Sequence, residues 1–300
     1  MNTFLEKYYG RILISVIFMH CLVIQAGRSP WRPKDPLLPQ IIARGPFDNI
    51  PHILRDYCLE YYAIFCKFNR SEFDAHRIPE GPISYRYDQS KYIDGAYLGH
   101  LAEKLIIEIQ MERKQFTDFT VLKKSDFNPR TRSGLIILKY KEYPFILKLF
   151  LKTAESFVQQ HEGIIPKFLF RMGGGTNRHL SGFTRIPNLL NIREQLAQSE
   201  YWAGRIETPR KWYWAPNPIP WITIEGTNIG CHGSVKTEIP GIYGIIVDAI
   251  DAERQFSLQS KDDREFCLNL STYLGNCLDS HVDNLLLERG TGKIVIIDKI

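Results

Sequence analysis

The chain has no C-x-x-C pair and no cysteine or histidine spacing of the kind a zinc site uses, which removes the small metal-stapled folds. Only six cysteines occur among 300 residues, so a disulfide scaffold is excluded as the main source of stability. There is no internal repeat and no low-complexity tract, which excludes a solenoid and argues against disorder. The longest apolar run, Ile12 to Ile24, falls short of the roughly 20 residues a membrane helix needs. Basic residues are scattered and the formal charge is only +5, so no nucleic-acid footprint is evident. The chain contains neither G-x-S-x-G nor G-x-x-x-x-G-K-[ST], so neither a hydrolase elbow nor a Walker-type nucleotide loop is in view.

What remains is an ordinary globular composition, 44% hydrophobic and 24% charged. Residues 1–26 carry a lightly basic start (Lys7, Arg11), the short apolar run and Ala26 before Gly27, the pattern of a secretory signal peptide. Export is the expectation, with no stable membrane span after cleavage; an uncleaved N-terminal anchor is the alternative. Cleavage after Ala26 would leave five cysteines, of which Cys58 and Cys66 could pair but lie in an apolar stretch that suits buried thiols.

Residues 27–50, with their prolines, read as an extended lead-in. Residues 51–117 read as an α-rich section, with helices from Pro51 to about Phe68 and from Asp94 to Gln115. At Phe119 the period changes, and FTVLKKSD, GLIILKYK and PFILKLFL read as three antiparallel strands. A glycine-rich stretch, residues 171–188, leads into the amphipathic run NLLNIREQLAQSEYW; KWYWAPN and WITIEG follow as two more strands. EIPGIYGIIVDAIDAE and DDREFCLNLSTYLGN read as helices, ahead of a terminal hairpin. The fold class expected is α+β, with one section at 118–230 and another at 231–300.

The terminal stretch DSHVDNLLLERGTGKIVIID concentrates polar chemistry around a hydrophobic hairpin. Asp279-Ser280-His281-Val282-Asp283-Asn284 resembles the catalytic loop of the phosphatidylinositol 3- and 4-kinases, and the five-residue step from Asp279 to Asn284 is that of the protein-kinase loop. Asp298, at the end of the hairpin, is similar to the metal-binding Asp that opens the D-F-G segment. The resemblance spans residues 118–298. It implies a kinase-like two-lobed fold, with a five-stranded antiparallel N-lobe sheet and an incomplete helical C-lobe. Asp279 would be the catalytic base, supported by His281, with Asn284 and Asp298 on Mg²⁺ and Lys148 on the phosphates of ATP. Glu194 is the preferred carboxylate partner of Lys148, ahead of Glu155 and Glu200.

The function implied is an exported effector that phosphorylates a host lipid or protein hydroxyl; the alternative is a non-catalytic pseudokinase or binding module. Two departures stand out. Ser280 replaces the Arg of the lipid-kinase triplet, and Lys299-Ile300 replaces Phe-Gly, so relative to the family the chain reads as C-terminally truncated. Taken singly, Asp and Asn also suit caps and turns, and Lys148 also suits the solvent face of a strand. The glycine-rich stretch matches no phosphate-loop pattern and reads as loop rather than ligand site.

Overall fold

The structure, a computed structural model, describes residues 40–43, 52–55, 68–130, 132–153, 179, 181–227, 234–275 and 282–297. Residues 1–26, read above as a signal peptide, Cys58 and Cys66, Glu155, the glycines at 173–175, Asp279, His281 and Asp298 lie outside the described residues.

Two short strands, β1 (Gln40–Ala43) and β2 (His52–Arg55), come first, followed by α1 (Arg70–Ala75) and the hairpin β3 (Pro82–Ser84) and β4 (Tyr92–Asp94). α2 (Gly95–Gln110) is the expected second helix, ended by Met111 and by Glu112 at φ 57°. Its buried residues Leu98, Leu101, Ala102, Leu105, Ile106 and Ile109 keep the three- and four-residue spacing of one helical face.

That face lies on the central sheet. β5 (Phe119–Lys123), β7 (Ser133–Tyr140) and β8 (Phe145–Leu151) form the meander read from the sequence, with the two-residue β6 (Phe127–Asn128) on β7. After α3 (Arg185–Ala197) and β9 (Ile206–Glu207), β10 (Lys211–Trp214) supplies one edge. The strand between β10 and β8 is β13 (Ile242–Asp248), antiparallel to both. The order across the sheet is β10-β13-β8-β7-β5.

β13 corrects the helix expected over EIPGIYGIIVDAIDAE. All seven of its residues are buried, because a central strand covered on both faces shows a continuous apolar run in place of an alternation. WITIEG is a strand, β11 (Trp221–Thr227), but it leaves the central sheet. It pairs with β12 (Ser234–Pro240) and, in parallel, with β2, giving the order β1-β2-β11-β12. The helix expected from Pro51 therefore begins as a strand, and the lead-in contains one as well. A sheet edge supplied from residue 222 onward outweighs local preference at residues 52–55.

The last part is a hairpin, β15 (Leu285–Glu288) and β16 (Ile294–Ile296), closed by Gly290 at φ 78° and Gly292 at φ 66°. β14 (Ala252–Gln255) pairs with β15, β9 pairs in parallel with β16, and α4 (Lys261–Tyr273) packs alongside. α3 links two cores: Ile186 lies in the aromatic cluster under the sheet, whereas Ile192 and Leu196 lie with Leu270, Leu285 and Ile296 around the hairpin. The fold is mixed α+β, as expected.

Candidate functional site

Strand parity gives the central sheet two unlike faces. Phe145, Leu147, Leu149 and Leu151 of β8 point at α2 and make a dry core with Leu138 and Ile246. Ile146, Lys148, Phe150 and the following Lys152 point the other way. On that second face one end is filled by aromatics: Phe150 stacks on Tyr243 at 4.6 Å, Phe183 on Tyr243 at 4.5 Å and Phe73 on Tyr213 at 4.7 Å. The other end carries lysines.

Lys148 sits in one cross-strand row with Ile137, Ile245 and Tyr213, and is 8% exposed. It is not the solvated strand lysine of the alternative reading. Lys211, also 8% exposed, lies on the same face two strands away and two residues along. At about 4.8 Å per strand and 3.4 Å per residue, the two Cα atoms stand roughly 12 Å apart.

Lys211 ties this face to the terminal hairpin. Its Nζ donates to the Ile297 carbonyl at 3.2 Å, and the Ile297 N–H donates to the Asn284 carbonyl at 2.9 Å. Asn284 closes the short 3₁₀ turn Val282–Asn284 and is half-buried. The end of the hairpin, its beginning and the lysine face of the sheet thus meet through two hydrogen bonds. Asp298 is the next residue in the sequence after Ile297.

The preferred carboxylate does not join this group. Glu194 is exposed on α3, two residues from buried Ile192 and Leu196 and hence on the opposite side of the helix, and it forms no ion pair among the described residues. Its neighbour Arg193 is the residue with structural contacts, donating to the Thr208 hydroxyl and to the carbonyls of Thr208 and Pro209. The amphipathic pattern of α3 was legible; that its one glutamate, Glu194, faces outward was not.

A polar clasp that sequence reading missed lies where β13 leaves the sheet. Arg210 grips Asp248 bidentately, Nε to Oδ2 at 2.9 Å and Nη2 to Oδ1 at 2.8 Å, and Nη2 also donates to the Ser84 carbonyl at 2.6 Å. Two residues further on, Arg86 Nε and the Tyr87 hydroxyl both donate to Glu288 Oε1, at 2.8 and 2.6 Å, and the Thr291 hydroxyl donates to Oε2 at 2.8 Å. The Tyr87 oxygen accepts from the Asp251 N–H at 3.0 Å. Residues 84–87 therefore hold both the chain leaving the sheet and the terminal hairpin. Partners 126 and 202 residues apart leave no local sequence signal.

Electrostatics follow from this geometry. Burial alone would push the Glu288 carboxyl up, but the bonds from Arg86, Tyr87 and Thr291, with the Arg86 charge, outweigh it and hold the group below its ordinary range. The Asp263 carboxyl, at the start of α4, is held down by bidentate bonding to Arg254 and by the Ser257 N–H. Both folded pKa values lie below the unfolded ones, so the folded chain binds fewer protons. Their contribution is complete above about pH 5 and is lost as pH falls through the folded values. Urea unfolding between pH 6 and pH 3 is expected to show falling stability, with a shallower slope in Glu288→Gln; an unchanged slope would contradict the clasp.

Of two further buried groups, Lys152 was not singled out from the sequence, whereas His179 belongs to the glycine-rich stretch read as loop. Lys152, at the end of β8, is 2% exposed, and burial pushes its amine down to about 7. His179 is buried with Nε2 2.9 Å from the Pro240 carbonyl, and burial pushes its imidazole down to about 3, so it is neutral. Cys267 is a buried thiol in the hairpin core. No helix among the described residues is long and apolar enough to cross a membrane. No family model, no curated protein and no solved structure matches this chain.

Proposed function

We propose that this chain is a kinase-like phosphotransferase that uses Mg²⁺-ATP and acts on a lipid or protein hydroxyl after export. In this reading the central sheet with α3 is the N-lobe, and β14 to β16 with α4 begin the C-lobe. The observation that carries it is the pair of hydrogen bonds joining Lys211 to Ile297 and Ile297 to Asn284, on the sheet face that bears Lys148. The proposal brings together a strand lysine, the Asn of the acidic loop and the residue preceding Asp298, which are separate in the sequence.

Each residue then has a task. Lys148, held in an apolar row, offers a concentrated positive charge to the nucleotide phosphates where water does not screen it. Asn284 and Asp298 supply hard oxygen donors of the kind Mg²⁺ takes, and the ion would neutralise charge on the phosphates. Asp279 accepts the proton of the attacking hydroxyl as its oxygen bonds to the γ-phosphorus, while the bond to the bridging β,γ-oxygen breaks and ADP leaves. His281 supports the loop.

Purified protein incubated with Mg²⁺ and γ-labelled ATP is expected to transfer label to a lipid extract, a protein extract or itself, and Asp279→Asn is expected to reduce transfer to background. Absence of Mg²⁺-dependent ATP binding would overturn the proposal. Binding without transfer, unaffected by Asp279→Asn, would favour the non-catalytic reading, for which Ser280 in place of the usual Arg is the motivating departure.

A further inference from the structure

The opposite side of the central sheet holds a cavity that the phosphotransfer reading does not use. It is about 410 Å³ and lies between the first turns of α2, the segment before β3 and the turn after β10. Gly95 and Gly99, one helical turn apart on α2, form one wall, and Trp214 of β10 forms another. The two glycines let the neighbouring walls close onto the helix: a Cβ at Gly95 would stand 1.9 Å from the Pro79 carbonyl, and one at Gly99 would stand 2.8 Å from the Trp214 indole nitrogen.

Trp214 is 4% exposed, yet its indole N–H has no acceptor among the described residues. Here it lines a cavity large enough for a small molecule. Arg77 lies beside it, with Nη2 donating to the Ala215 carbonyl at 3.3 Å and its other guanidinium donors without partners among the described residues. The remaining charges are acidic. Glu80 forms no side-chain hydrogen bond among the described residues, and Glu103 accepts only from the Asn217 N–H, at 3.3 Å, with His100 Nδ1 4.0 Å from its other oxygen.

One cavity therefore presents two donors, the Trp214 indole and Arg77, and two carboxylates, Glu80 and Glu103. We propose that it binds a small zwitterion, an amine and a carboxylate on one short carbon frame, as in a free amino acid. The carboxylate takes the indole and guanidinium donors, and the ammonium takes Glu80 and Glu103. Either half alone would leave one pair of protein groups unanswered, which is what gives the cavity its selectivity. Because Trp214 faces α2 and Lys148 faces the other way, this site stands whether or not the chain transfers phosphate.

The test uses the full chain labelled with ¹⁵N at its five tryptophan indoles, the Trp214 signal being identified by its loss in Trp214→Phe. Glycine, L-glutamate and L-lysine are titrated separately to about 10 mM, a range that reaches millimolar affinities, with acetate and methylammonium as half-ligands. At least one amino acid is expected to move the Trp214 signal saturably, and neither half-ligand to do so. Glu80→Gln is expected to weaken binding about tenfold. Ala96→Leu, which fills the cavity from an exposed helix position with a good helix former, is expected to abolish the shift and leave the other indole signals in place. No saturable shift with any amino acid, an equal shift with acetate, or a shift that survives Ala96→Leu would each overturn the proposal.

Discussion

Arg210→Met is expected to cost about 3 kcal/mol of unfolding free energy, measured by denaturant titration with an unchanged m-value. The reason is the state it leaves behind. Asp248 is 1% exposed, and its charge is answered by Arg210 through two side-chain bonds and by the Arg210 backbone N–H at 3.1 Å. Removing the guanidinium leaves a buried carboxylate with one amide donor, which is the costly way to break a pair. The Arg210 side chain is 34% exposed, so water can partly replace it, and the cost belongs near the low end of the range for broken buried pairs. The same substitution releases the Ser84 carbonyl and weakens the hold of residues 84–87 on the chain leaving β13.

The comparison that isolates the pair is Arg210→Met with Asp248→Asn. Asp248→Asn alone keeps the shape and removes the charge, and should cost less than Arg210→Met. The double variant should be more stable than the sum of the singles, because no buried charge is left unanswered. Additive costs, or an Arg210→Met cost below about 0.5 kcal/mol, would mean that Asp248 finds another partner. With total stability for a domain about 5–15 kcal/mol, the expected loss is visible in any cooperative unfolding curve.

The contrast between β8 and β13 explains how much of the fold could be read in advance. β8 has apolar residues on both faces, but Lys148 and the turn residues on either side fix its limits, and its neighbour in the meander, β7, is also a neighbour in the sheet. β13 lacks all of those aids. Its pairing strands lie about thirty and about a hundred residues upstream in the sequence, and its run of Ile, Tyr and Val is as apolar as a buried helix. β11 was legible as a strand and illegible as to sheet, since sheet membership is decided by which edge is open when it arrives. The site divides in the same way. Spacing within the chain marked Lys148 and Asn284, but the lysine that joins their two elements, Lys211, carries no motif and is recognisable only by what its amine reaches. Trp214 is similar: a tryptophan in a strand signals core, and nothing in the local sequence shows that its indole packs against Gly99 of α2 and lines a cavity there.

Lys148→Met is expected to abolish Mg²⁺-dependent ATP binding, and to lower any phosphotransfer by a factor of 10² or more, the scale seen when one preorganised charge contact is removed from a reacting group. Methionine keeps most of the side-chain volume within the row of Ile137, Ile245 and Tyr213, so the packing of the sheet should survive. Lys148 is 8% exposed within that row, so the unfolding midpoint of Lys148→Met is measured beside ATP binding: lost binding with a retained midpoint supports the phosphate role. Lys139→Met serves as the control, because Lys139 lies on the same face but is exposed, and it should change neither property. Lys211→Met separates positioning from contact. By losing the bond to the Ile297 carbonyl it should lower kcat while leaving the KM for ATP near its original value, since it acts on the end of the hairpin and not on the nucleotide. If Lys148→Met instead unfolds the protein while ATP binding by the unaltered chain is independent of Mg²⁺, the lysine is structural and the phosphotransfer proposal fails with it.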